Sequence, residues 1–150
     1  MLFFATFVAL LASSVGLAGW KGGAPERVVG FMFLTAWLIS VALFRDLNRY
    51  VSADWISFGI NLALALGLFC VALIANRSWP MLVSSLQWMI ILAQLGRRVG
   101  PNWMWQVNMV MNAAWPYFQV MILLTGTIFH WRREARSGKE PSWSPYWKAL

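Results

Sequence analysis

Five long stretches without a formal charge constrain what this chain can fold into. Residues 1–20, 28–44, 55–76, 78–96 and 99–131 contain no Asp, Glu, Lys or Arg. An apolar run of about twenty residues is long enough to cross the hydrocarbon core of a bilayer as a helix. The 12 basic and 5 acidic residues lie in the short gaps between these runs or after residue 131. The pattern predicts an all-α, polytopic transmembrane helical bundle with five helices.

The lengths of the runs and the residues between them set the predicted bounds of the helices. The first run has no basic residue ahead of its apolar part, so we expect a retained helix rather than a cleaved signal peptide. The fifth run is overlong for an upright span, and Pro116 near its middle removes one backbone hydrogen bond, which predicts a single long helix with a kink. The predicted bundle covers 1–131, with spans at about 1–20, 28–44, 55–76, 79–96 and 102–131, followed by a basic, aromatic tail at 132–150.

The distribution of basic residues predicts the orientation in the membrane. Five spans place the two ends of the chain on opposite sides. With the tail inside, the inner segments hold eight basic residues and the outer loops hold only Arg45, Arg49, Arg97 and Arg98. Because cytoplasmic loops retain Lys and Arg, we expect a bacterial inner membrane location with the N-terminus outside and the C-terminus cytoplasmic. The same bias explains the net charge of +7 without nucleic acid as a partner.

Polar side chains recur on one face of the fourth and the fifth predicted helices. The spacings of three, four and seven residues place the members of each set on a common face. Amides within hydrocarbon need hydrogen-bond partners, so these faces should meet each other or another subunit. This amide stripe, the candidate polar groove or helix-packing face, consists of Ser84, Gln87, Gln94, Asn108, Asn112 and Gln119. Ser57 and Asn61 form a shorter pair on the third helix.

Two interpretations of the amide stripe stay open at this stage. It joins helices to one another, or it lines a polar groove for a substrate, a quinone headgroup or water. Amides without a carboxylate or a cation make poor proton or ion relays, which favours the joining role. Residues of small volume at four-residue spacing, Gly59, Ala63 and Gly67, also predict close helix packing.

The groups that catalysis needs are sparse within the predicted spans. His130 is the sole histidine, no lysine or acid lies in a span, and no phosphate-binding or zinc motif is present. We therefore predict no enzymatic activity, no metal and no bound cofactor. The expected function is a structural or accessory membrane subunit, with membrane lipids and either further copies or a larger complex as partners. The alternative is a small oligomeric transporter or channel, or a protein that binds a quinone or a pigment.

Aromatic residues in the tail predict a further contact. Trp143, Tyr146 and Trp147 are separated by prolines and follow a basic segment. An indole or phenol ring is amphipathic and suits the membrane interface, whereas the basic residues suit anionic lipid. We expect these three residues to contact lipid or a partner protein.

Two sets of short motifs support a family resemblance. Residues 19–27 contain the sequence GGAPER, and Ala75, Arg77, Trp79 and Pro80 are followed by Gln87, then by 115–117 (WPY) and by 126–127 (GT). In this order they resemble a group of uncharacterised small polytopic inner-membrane proteins of Alphaproteobacteria, of the sphingomonad type. The resemblance implies an inner-membrane helical fold and no activity; members often carry a histidine at the position of Gln94.

Overall fold

The computed structural model describes residues 2–46, 50–75, 77–100 and 104–137. Within these ranges the chain forms five α-helices and no strand, which confirms the predicted all-α bundle. The helices are α1 (Leu2–Lys21), α2 (Ala24–Asp46), α3 (Tyr50–Ile74), α4 (Trp79–Val99) and α5 (Met104–Ser137).

Glycine and proline set several helix ends. Only Gly22 and Gly23 separate α1 from α2, and a Cβ at Gly22 would collide with the carbonyl oxygen of Ala18. Pro80 occupies the first turn of α4, where an amide hydrogen is not needed. At the other end of α4, the amide of Gly100 donates to the carbonyl of Gly96 over 2.7 Å.

The helices run alternately up and down and pack in chain order, and α5 closes the ring against α1. Contacts between helix ends identify two ends of the bundle. At the first, Arg77 bonds to Glu26 and His130, so the end of α3, the start of α2 and the end of α5 meet there. At the second, the guanidinium of Arg98 lies 4.1 Å from the ring centroid of Trp55, near the start of α3. We call them the Arg77 end and the Arg98 end.

An apolar core runs through the centre of the bundle, and all five helices contribute to it. Leu68 and Leu123 are fully buried, and the phenyl ring of Phe7 meets the ring of Tyr117 edge-on at 5.2 Å. The buried apolar cluster consists of Leu11, Val29, Phe33, Leu68, Val71, Ala75, Val83, Val120 and Leu123. This core fixes the rotation of each helix and thereby decides which polar residues face inward.

Four of the helices contain a segment long and apolar enough to cross a membrane: Ala24–Leu43, Trp55–Ile74, Trp79–Val99 and Trp105–Arg136. The segment Ala5–Lys21 of α1 is apolar but shorter. Helix α5 has 34 residues and continues uninterrupted through Pro116, as predicted. It extends six residues beyond the predicted boundary at residue 131. The kink at Pro116 and the spanning role of α1 stay predictions.

The small residues predicted to pack helices together differ in what surrounds them. A Cβ added at Gly67 would meet the terminal methyl of Met32, so the side chain of Met32 on α2 packs over Gly67. A Cβ at Gly59 would meet nothing within 4 Å, and Ala63 is exposed. Only part of this predicted face therefore packs inside the chain, and the rest faces outward.

Candidate functional site: an ionic cluster and an amide chain

A buried ion pair joins the first turn of α2 to the link between α3 and α4 at the Arg77 end. The Nη1 of Arg77 lies 2.6 Å from the Oε1 of Glu26. The Glu26 side chain is fully buried and that of Arg77 is 14% exposed. Such a short, charge-assisted bond offsets part of the cost of removing both charges from water.

His130 extends the pair into a cluster of three residues. The Nη2 of Arg77 lies 2.9 Å from the Nδ1 of His130. A guanidinium has only donors, so Nδ1 accepts and the ring hydrogen of a neutral imidazole sits on Nε2. The Nε2 lies 3.8 Å from a carboxylate oxygen of Glu134, too far for a direct hydrogen bond. We call Glu26, Arg77 and His130 the ionic cluster.

The helix ends position this cluster. Only Gly22 and Gly23 link α1 to α2. Glu26 lies in the first turn of α2, where the helix dipole stabilises a carboxylate. Arg77 lies between α3 and α4, and His130 lies near the end of α5. The amide of Arg27 donates to the carbonyl of Gly23 over 3.2 Å, and its Nε donates to the carbonyl of Gly22 over 3.1 Å, which holds the turn beside Glu26.

The ionic cluster leaves one polar atom without a partner and lies beside two cavities. The second carboxylate oxygen of Glu26, Oε2, is buried and accepts no hydrogen bond. A cavity of about 750 Å³ lies between the α1–α2 turn and the end of α5, and one of about 590 Å³ lies between α4 and α5. His130 lines both. Buried ionisable residues in a membrane bundle mark a candidate functional site.

A chain of amides crosses the middle of the bundle. The Nε2 of Gln87 donates to the Oδ1 of Asn61 over 3.0 Å, and the Nε2 of Gln119 donates to the Oε1 of Gln87 over 2.9 Å. Gln87 is 1% exposed and Gln119 is 2% exposed. Asn61, Gln87 and Gln119, which we call the amide chain, thus join α3, α4 and α5.

A second amide group lies nearer the Arg98 end. The Nε2 of Gln94 lies 3.3 Å from the Oδ1 of Asn112, and the Nδ2 of Asn112 donates to the Oδ1 of Asn108 over 2.8 Å. The Oε1 of Gln94 is buried without a hydrogen-bond partner. These three residues line a cavity of about 350 Å³ together with Arg97 and Arg98.

The predicted stripe therefore faces inward but divides into two groups. Gln87 and Gln119 belong to the amide chain, whereas Gln94, Asn108 and Asn112 form the second group. Ser84 is buried on the same face of α4. The sequence also singled out Asn61 and Ser57; Asn61 joins the chain and Ser57 lines the cavity beside Gln94. The predicted tail contacts Trp143, Tyr146 and Trp147 lie outside the described residues.

Sequence reasoning missed the ionic cluster because its charged members flank the charge-free runs. The up-and-down order of the helices offered a signal for this cluster. It brings positions 26, 77 and 130 to one end of the bundle, where a carboxylate, a guanidinium and an imidazole can pair. Among the described residues, no group of three or more His, Cys, Asp or Glu residues is placed to hold a metal ion.

The apolar helices and the inward polar groups define the class of this chain, a helical integral membrane protein. Comparison with protein-family models, with curated proteins and with solved structures finds no match. The resemblance to the alphaproteobacterial group stays a prediction, and the function has to be inferred from the site and the surface of the bundle.

Proposed function

We propose that this protein is a non-enzymatic accessory subunit of the inner membrane that packs with a second copy of itself. The observation that supports this most strongly is an apolar groove of about 360 Å³ between α2 and α3. Ala36 and Ile39 of α2 and Gly59 and Ala63 of α3 line it. Gly59 has free space above it, so a neighbouring helix can approach the backbone there.

The chemistry of the groove suits a transmembrane helix as its occupant. The one hydroxyl in the groove belongs to Thr35 and already donates to the carbonyls of Phe31 and Met32, at 2.9 and 3.0 Å. Lipid chains and helices are equally apolar, so close van der Waals contact at small residues decides between them. A second copy offers the same small residues, and a two-fold interface brings the two grooves together.

The interior amides support a structural role. The amide chain uses its polar atoms to join three helices, which is how amide side chains stabilise helix packing in membranes. The basic residues at the Arg77 end, Lys21, Arg27, Arg77, Arg132, Arg133 and Arg136, support an orientation with this end in the cytoplasm.

The native cysteine provides a direct test. Cys70 is exposed and lies seven residues beyond Ala63, on the same face of α3. In native membranes, a short, membrane-permeant bis-maleimide should capture a dimer through Cys70, and Cys70→Ser should abolish it. For the protein purified in mild detergent, light scattering should give a protein mass twice that of one chain.

Two glycine substitutions supply a matched pair. Gly59 and Gly16 are both exposed, and neither has any atom within 4 Å of an added Cβ. Leucine also favours helix more than glycine does. Gly59→Leu should remove the cross-link and the dimer, whereas Gly16→Leu on α1 should retain both. A strictly monomeric native particle without partners, or equal behaviour of the two variants, contradicts the proposed interface.

A small transporter or channel is the second candidate, because Gln94 leaves a buried oxygen without a donor beside the cavity at the Arg98 end. A permeating polar molecule could supply that donor. Under this hypothesis, Gln87→Leu and Asn112→Leu abolish flux in proteoliposomes while assembly is retained. Loss of assembly with either variant favours the accessory role instead.

A further inference from the structure

The cavity between α4 and α5 at the Arg77 end has a polar mouth and an apolar depth. Arg77, Ser78 and Arg133 lie where the helices begin or leave the bundle. Leu82 lies one turn further along α4, and Ile122 lies three turns back along α5 from Arg133. This gradient runs parallel to the helices, as headgroup and acyl chain do in a bilayer.

Trp79, which lines this cavity, carries a hydrogen-bond donor without an acceptor. Its Nε1 is buried and has no partner in the protein. The ring packs on Gly126, where an added Cβ would lie 3.2 Å from the indole Cγ, so the indole is held against α5. A buried N–H without an acceptor is unfavourable, and a ligand that supplies an oxygen removes the penalty.

The charges around this cavity favour an anion. The turn of α5 at this end carries three basic residues, Arg132, Arg133 and Arg136, and one acid, Glu134. The excess is positive. The N-terminus of α4 lies at the same mouth, and its dipole adds to the attraction for an anion.

We propose that this cavity binds an anionic phospholipid. Its phosphate accepts from the indole N–H of Trp79 and lies near the guanidinium groups of Arg77 and Arg133, while its acyl chain covers Leu82 and Ile122. The groove at α2 and α3 is on a different pair of helices, so this site does not depend on the proposed dimer.

Native mass spectrometry of the full-length protein in a neutral detergent tests the site. The probes are phosphatidylglycerol and, at equal concentration, phosphatidylcholine. We expect one phosphatidylglycerol retained per chain, and weaker retention of phosphatidylcholine. Trp79→Phe keeps the ring on Gly126 but removes the N–H, and should weaken retention about tenfold. Arg133→Gln should weaken it about fivefold.

Two matched variants separate the site from general effects. Trp115→Phe removes a second buried indole N–H without a partner among the described residues, and Arg136→Gln removes a charge of α5 outside the cavity lining. Both should bind as the native chain does. Circular dichroism confirms that each variant is folded before binding is compared.

The proposal is overturned by equal retention of phosphatidylcholine, by unchanged binding of Trp79→Phe, or by equal losses in the matched variants. Displacement of phosphatidylglycerol by an equal concentration of ammonium phosphate would reassign the cavity to a free anion, and would overturn the lipid as its occupant.

Discussion

The ionic cluster and the amide chain solve the same problem in different ways. Both place polar atoms inside an apolar bundle. The amide chain is neutral, lies in the middle of α4 and pairs the donor of one residue with the acceptor of the next. The ionic cluster is charged, lies at one end and leaves the Oε2 of Glu26 without a partner. The first arrangement satisfies its polar atoms within the protein, and the second leaves one buried acceptor unsatisfied.

The energetic consequences of the two arrangements differ. An amide that loses its partner in a membrane interior loses a modest bond, since the unfolded chain in lipid also finds partners. A buried carboxylate that loses its counter-ion keeps a charge that the surroundings cannot solvate. Substitutions in the ionic cluster should therefore have larger effects, and the following predictions rank them.

Arg77→Met should have the largest effect. It leaves the carboxylate of Glu26 buried without a cation, and removal of one partner of a buried pair costs about 3–5 kcal/mol of unfolding free energy. Titration with SDS in mixed micelles, followed by circular dichroism, measures the change. Adding Glu26→Gln to Arg77→Met should restore most of the loss, and a double variant as unstable as the single one would contradict the ion-pair interpretation.

His130→Phe should have the next largest effect. The Nη2 of Arg77 loses its acceptor, and a hydrogen bond to a charged group contributes about 2 kcal/mol. His130→Asn is the matched control, because its carbonyl oxygen takes the place of Nδ1. The same SDS titration should show that Asn retains more stability than Phe; equal losses would mean that the imidazole acts through packing alone.

Gln87→Leu should cost less than either, at about 1 kcal/mol, although it breaks the bonds to both Asn61 and Gln119. Gln119 keeps a weaker contact to the carbonyl of Val83, at 3.4 Å. The control is Gln106→Leu, which replaces an exposed amide on α5. A larger loss for Gln87→Leu than for Arg77→Met would reverse the ranking of the two regions.

The amide chain could be predicted from the sequence, whereas for the ionic cluster helix order indicates only a shared end of the bundle and not the burial of the charges. Gln87 and Gln119 lie in apolar helices. The 3.6-residue period places the polar residues of each helix on one face, and their need for hydrogen-bond partners turns that face toward other helices. Glu26 and Arg77 stand at helix ends, where a charged side chain can equally reach water. Their burial depends on how closely three separate helix ends approach, and no local spacing encodes that distance.

The helix bounds show a similar division. At the start of α4, Pro80 lies in the first turn, and the helix begins at Trp79. The end of α5 was predicted at residue 131, where the apolar run stops, but Arg132, Arg133 and Arg136 are good helix formers and the helix continues to Ser137. Hydropathy locates the membrane boundary of a helix and not its last turn.

Gln94→Leu should have the smallest effect and separates the two halves of the predicted stripe. The substitution loses a long bond of 3.3 Å to Asn112, which still donates to Asn108, and it also removes the unpartnered Oε1. These changes oppose each other, so the unfolding free energy should shift by less than about 0.5 kcal/mol. The SDS titration is run on the protein purified in detergent and again on protein extracted with native lipid. A loss confined to the native-lipid preparation would show that a bound molecule donates to Gln94 at the Arg98 end. That result would make the second amide group a binding site, and would leave the amide chain as the only purely structural half of the stripe.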